Sequence, residues 1–169
     1  MKNVYIMSAN RSAIGGFGGT LKSFCPVDLG TLVAKEAISR SGYDPKEIDH
    51  AVFGNVIHTE PRDMYVSRVI ALQSGLSKDS AALTVNRLCG SGLQAIISAI
   101  QLLALEDASI TMAGGVEVMS IVPIGASVTD GFNAGHGFPF DSDGMKVRYP
   151  NVFFSQFSTM GIRHFHQVV

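Results

Sequence analysis

The sequence predicts an α/β domain built on a largely parallel sheet. Short β-rich runs alternate with longer amphipathic runs from residue 4 to about residue 115. Glycine or proline punctuates most of the junctions between them. Beyond Ser120 the alternation stops, and Pro123, Gly125, Gly131, Gly135, Gly137, Pro139, Gly144 and Pro150 break up a stretch with little periodicity. A structureless segment of that length does not suit a compact domain and reads as the start of an insertion. The expected division is therefore 1–120 for the α/β domain and 121–169 for part of an inserted loop domain.

Val4-Tyr5-Ile6-Met7 is a short strand-like run. It leads into Ala13-Ile14-Gly15-Gly16-Phe17-Gly18-Gly19-Thr20, which invites comparison with a phosphate cradle. The glycine spacing does not fit a dinucleotide fingerprint, no helix opens directly behind it, and no phosphate-loop lysine follows. It reads as a flexible turn.

Pro26 to Ser41 is an amphipathic helix with Leu29, Leu32, Val33 and Ala37 on one face, Pro26 in its first turn and Gly42 at its carboxyl cap. Asp44-Pro45-Lys46-Glu47 has capping-box spacing and opens a short helical turn. Ala51-Val52-Phe53-Gly54-Asn55-Val56 is the next strand, bracketed by His50 and His58, which read as surface or strand-end residues. Glu60-Pro61-Arg62-Asp63 is a solvated polar turn before a helix from about Met64 to Ser74, with Val66, Val69, Ile70 and Leu72 as core.

Leu83-Thr84-Val85 is a strand, and Leu93 to Leu105 is a helix, apolar nearly all round, which predicts burial between layers. Ser109-Ile110-Thr111-Met112-Ala113 is a further strand, closed by Gly114-Gly115. Right-handed crossovers place helices on both faces of such a sheet, and ligands collect at the carboxyl ends of its strands.

Asn86-Arg87-Leu88-Cys89-Gly90-Ser91-Gly92 lies at one of those ends, between the Leu83 strand and the following helix. A thiol at the amino end of a helix meets unpaired backbone N–H groups and a dipole that favours negative charge. An ordinary cysteine has a pKa of about 8.5, and a helix terminus lowers it by at most about 1.5 units. A nucleophile at Cys89 therefore still needs a base from elsewhere in the fold. The competing reading is an inert buried thiol, and on chemistry alone the two stand level. Gly90 and Gly92, which clear space around the sulfur, favour the nucleophile.

Composition narrows the function classes. Thirteen Lys and Arg stand against 14 Asp and Glu, for a net charge of -1, with no basic run. Nucleic acid and anionic membranes are poor partners for such a chain. The hydrophobic share of 46% supplies a sizeable core, and the longest apolar stretch is too short to span a bilayer. Cys25 and Cys89 lie far apart and form no disulfide framework; Cys25 reads as a free structural thiol in a reducing compartment. The amino end lacks the apolar core of a secretory signal, so the expectation is a soluble, cytoplasmic protein without a metal or bound cofactor.

Three segments, in order, are similar to the amino-terminal part of the thiolase family, the acetyl-CoA acyltransferases. They are Asn10-Arg11 with the glycine loop behind it, Asn86 to Ala95, and Ala113-Gly114-Gly115-Val116-Glu117-Val118-Met119-Ser120. Thr59-Glu60-Pro61-Arg62-Asp63-Met64-Tyr65 looks most like the short-chain β-ketothiolase branch.

The resemblance implies a domain duplicated in full-length members, with a loop domain inserted in the first half. It implies that Cys89 takes an acyl group from acyl-CoA as a thioester, with its own backbone N–H as one oxyanion donor. A second acetyl-CoA then attacks to form a 3-ketoacyl-CoA, or the reverse cleaves one. CoA thioesters are thus the expected substrates and small-molecule partners.

The family's activating histidine, its second cysteine and its Asn/His pair come from a carboxyl-terminal half, and none of His50, His58, His136, His164 or His166 lies in a matching motif. Thr159-Met160-Gly161-Ile162 resembles a segment near the acyl pocket, which makes Met160 the expected substrate contact, although the family's usual histidine is Thr159 here. Residues 163–169 resemble nothing in the family. The expectation is a truncated or frameshifted thiolase, poorly active alone, and a homo-oligomer once the missing half is supplied. A ketoacyl-synthase-like enzyme and a non-catalytic remnant that pairs with thiolase subunits are the alternatives.

Overall fold

The computed structural model describes residues 3–16 and 18–121. Three parallel strands form its sheet: β1 (His50–Gly54), β2 (Ala81–Val85) and β3 (Thr111–Gly115), in the order β2-β1-β3. Three helices surround it: α1 (Pro26–Ser41), α2 (Val66–Gln73) and α3 (Ser91–Ala104).

β1 is central because its residues are apolar on both sides, as a strand covered on two faces requires. Ala51, Val52 and Phe53 are all fully buried. Side chains alternate along a strand, so Ala51 and Phe53 join Met112 in a cluster with Val33, Val66 and Ile70 from α1 and α2. Val52 and Ala113 point the other way, into a second cluster with Ala95, Ile96 and Ala99 of α3. The helices thus cover both faces.

α1 keeps its expected bounds: Pro26 opens it, and Gly42 closes it in the left-handed region at φ 78°. Leu32, expected on the buried face, is 57% exposed and lies outside the cluster that Val27, Leu29, Val33, Ala34 and Ile38 of α1 join. The capping box at Asp44 forms as expected: its side chain accepts from the Lys46 amide at 2.9 Å, and Glu47 accepts from the Asp44 amide at 3.1 Å.

Further expectations need correction. Val4 to Met7 is not a strand; Tyr5 and Ile6 are more than half exposed. β-propensity makes a strand only where a sheet edge receives it, and this segment is instead tied to α1. Ser8 Oγ donates to the Ala37 carbonyl at 2.8 Å, and Asn10 Nδ2 to the Val33 carbonyl at 3.1 Å.

The helix expected from Met64 begins as a 3-10 turn, Pro61–Tyr65, and becomes α-helical at Val66. Asp63 in that turn is fully buried rather than solvated, accepting from the Thr59 amide at 2.7 Å and the Glu60 amide at 3.1 Å. Finally, α3 is not enclosed between layers among the described residues. One side packs on the sheet, while Leu93 is 64% and Ile97 39% exposed. The loop-domain segment expected at 121–169 lies outside the described residues, apart from Ile121 at the end of a 3-10 turn.

Candidate active site

The loop leaving β1 runs to α2 on one face of the sheet, and the loop leaving β2 runs to α3 on the other. Where neighbouring strands send their chains to opposite faces, a crevice opens at their carboxyl ends. Cys89 stands at that end of the sheet, four residues beyond the end of β2.

The turn that carries it is braced by its own side chains. Asn86 Oδ1 accepts from the Leu88 amide at 3.0 Å, an Asx turn. Ser91 Oγ accepts from the Arg87 amide at 2.8 Å and donates to the Leu88 carbonyl at 2.7 Å, and the Gly90 amide donates to the Arg87 carbonyl at 3.0 Å. Together these hold Leu88 at φ 49°, a left-handed conformation that costs a leucine roughly 1–2 kcal/mol. The result presents Cys89 as an exposed free thiol just before the amino end of α3. Cys89 is therefore exposed rather than buried among the described residues.

Glycines seat the helix under the turn. A Cβ on Gly54, the last residue of β1, would lie 2.7 Å from the backbone carbon of Ser91. One on Gly115, the last residue of β3, would lie 3.2 Å from the Gly92 Cα. The first turn of α3 therefore rests on the bare ends of two strands. Gly92 takes part in this close packing.

Two other family-like segments arrive at the same end of the sheet. The Gly18 amide donates to Ser120 Oγ at 2.9 Å, which fastens the glycine-rich loop beside the segment after β3. Glu117, only 2% exposed, accepts from the Val56 amide at 2.9 Å and the Ile57 amide at 2.8 Å. Burial pushes its carboxyl up to about 7, the two amides oppose the shift, and the nearby charge of Asp63 adds to it.

Cys25 shows that a helix end alone does not activate a thiol. It precedes α1, yet burial and the charges of Glu60 and Asp28 raise its pKa against the opposing influence of Arg62. His50 opens β1 at the opposite end of the sheet, about 13 Å of strand away from the crevice. Burial lowers its pKa. His58 is exposed in the loop after β1. An open groove of about 490 Å³ lies at the His50 end, lined by Lys46, Asp49, Asp79 and Asp107 among others, and contains no cysteine. Among the described residues no group of three or more His, Cys, Asp or Glu could hold a metal ion. Met160 and the remaining histidines lie outside the described residues.

The family model "Thiolase, N-terminal domain" matches residues 4–161. The chain belongs to the thiolase family. Beta-ketothiolase BktB from Cupriavidus necator is 52% identical over 122 residues, 72% of this chain and 31% of that protein. Acetyl-CoA acetyltransferase from Escherichia coli is 38% identical over 143 residues, 83% of this chain and 36% of that protein. Human mitochondrial 3-ketoacyl-CoA thiolase, in a crystal structure with CoA, superposes with a TM-score of 0.70 at 38% identity, over 71% of this chain and 30% of that one. The chain thus spans about a third of the length of these thiolases. They carry thiolase and acetyltransferase names, which does not favour the ketoacyl-synthase alternative.

Asn86, Ser91, Gly115 and Glu117 of the thiolase-like segments, and Gly54 at the end of β1, have roles that were not expected from the sequence. Signals for two of them were present. Asn86 stands two residues before Leu88, the spacing of an Asx turn. Glu117 interrupts the apolar run Val116 to Met119, as a buried, hydrogen-bonded carboxylate does. Among the described residues no helix is long and apolar enough to cross a membrane.

Proposed function

We propose that this chain supplies the nucleophile of a thiolase-type acyltransferase, which forms or cleaves 3-ketoacyl-CoA. The observation that carries the proposal is the exposed Cys89 thiol on a strained, braced turn at the carboxyl edge of a parallel sheet. The thiolate of Cys89 attacks the thioester carbonyl of an acyl-CoA, the tetrahedral adduct collapses, and CoA leaves as its thiolate. One carbon–sulfur bond forms as another breaks, so the step is nearly balanced in energy. The Cys89 amide takes part in no hydrogen bond among the described residues and suits the developing oxyanion. The names of the relatives support acetyl-CoA and 3-ketoacyl-CoA as the substrate class.

Completing a carbon–carbon bond requires a proton acceptor for the second acetyl-CoA, which thiolases draw from their other half. The purified chain, incubated with acetyl-CoA, is therefore expected to gain one acetyl group on Cys89 without turning over acetoacetyl-CoA. Peptide mass spectrometry locates the label, and Cys89→Ser must abolish it. Acetylation elsewhere, or none at Cys89 while iodoacetamide still modifies it, sinks the proposal.

A further inference from the structure

The Glu117 carboxylate is buried behind the site, and thioester exchange at Cys89 does not use it directly. A continuous hydrogen-bonded path nonetheless joins the two. Glu117 Oε2 accepts from the Val56 amide at 2.9 Å, and the Val56 carbonyl accepts from Asn86 Nδ2 at 3.3 Å. Asn86 Oδ1 accepts from the Leu88 amide at 3.0 Å, and Leu88 is the left-handed residue that turns Cys89 outward. Each link joins a different segment: the one after β3, the one after β1 and the one after β2. We propose that Glu117 is a positioning residue for Cys89, holding the thiol's turn through Val56 and Asn86.

This rests on the reading of Cys89 as the nucleophile. An ionised carboxylate offers one oxygen to each of the Val56 and Ile57 amides. A protonated one turns an O–H toward a neighbouring group and grips the pair less firmly. Asn55 approaches from the same loop, with Nδ2 3.5 Å from Glu117 Oε1 and 3.0 Å from the Val116 carbonyl. Asp63, from the 3-10 turn before α2, is the charged group that acts on Glu117 among the described residues. The exposed His58 lies next along the loop. With Glu117 ionised the clasp is closed and Leu88 is held; with Glu117 neutral the turn loosens.

The test is the rate of iodoacetamide alkylation of Cys89 in a Cys25→Ser background, from about pH 5.5 to about pH 9. The expected profile contains the thiol's own ionisation and a second inflection near the carboxyl's value of about 7. Glu117→Gln is expected to remove the second inflection and to slow alkylation at high pH roughly tenfold. Glu117→Asp should restore part of both. Asn86→Ala cuts the path at an exposed residue and should also remove the inflection, so the test survives if Glu117→Gln fails to fold. Survival of the inflection in both Glu117→Gln and Asn86→Ala overturns the proposal. Failure of acyl-CoA to label Cys89 with these profiles intact overturns the nucleophile's assigned reaction and leaves the positioning role standing.

Discussion

Glu117 carries a conflict between what stabilises the fold and what arranges the site. Its carboxyl is raised from 4.5 to about 7, chiefly by burial, so the folded chain holds the proton more tightly than the unfolded one. Its stabilising contribution is complete below about pH 4.5 and is lost as pH rises through about 7. The loss is on the order of 3 kcal/mol. His50, with a lowered pKa, works in the opposite direction, because its unfolded form binds the extra proton as pH falls. The difference between parent and Glu117→Gln isolates the carboxylate. Urea midpoints at about pH 5 and about pH 8 should show the parent losing stability relative to the variant as pH rises. A constant difference between the two proteins would contradict this.

At the scale of elements, the site depends on how closely α3 approaches the strand ends. Gly54→Ala sets a methyl against the Ser91 backbone, which cannot swing aside as a side chain can. It is expected to cost about 1–3 kcal/mol and to slow Cys89 alkylation by displacing the first turn of α3. Gly30→Ala, whose new methyl meets the flexible end of Ile70, should cost less and leave alkylation unchanged. Denaturant midpoints and alkylation rates for the pair distinguish seating of the helix from general crowding. Ser67→Ala would be a poor substitute, since Ser67 Oγ accepts from the Phe53 amide at 2.9 Å and donates to the Leu83 carbonyl at 2.7 Å, joining α2 to two strands.

The same scale explains what was legible in the sequence. α1, β1 and the Cys89 turn follow from local features: apolar periodicity, capping residues and glycine placement. β3 was expected at Ser109–Ala113 but runs Thr111–Gly115, taking in the two glycines expected to close it, because its bounds are set by pairing with β1. Val4 to Met7 failed as a strand because pairing is decided by a partner elsewhere in the chain. Leu32 was misplaced because helical periodicity predicts which residues share a face, not how much of that face finds a neighbour. The cysteine and its turn could be read because their chemistry is local. The contribution of Glu117 could not, because it reaches Cys89 through residues more than 60 positions away in the chain, such as Val56.

At the scale of the whole molecule, the side of α3 that no described residue covers sets an expectation for behaviour in solution. Leu93 and Ile97 lie on one stripe of the helix, and Leu88 beside its amino end is 56% exposed. Contiguous apolar surface of this kind mediates association. The isolated chain is expected to bind a hydrophobic dye and to self-associate, seen as increased light scattering. The double substitution Leu93→Gln with Ile97→Gln should weaken both while leaving the melting transition in place. Unchanged dye binding in that variant would place the sticky surface elsewhere, with the exposed Tyr5 and Ile6 as the next residues to examine.

The strand order β2-β1-β3 has a consequence for biosynthesis. The middle strand is made first, and both of its flanking partners emerge later from the ribosome. Until then α1 and α2 can shelter Ala51 and Phe53, but Val52 on the other face still lacks α3, so a nascent chain stalled before Ala81 exposes one face of its central strand to chaperones.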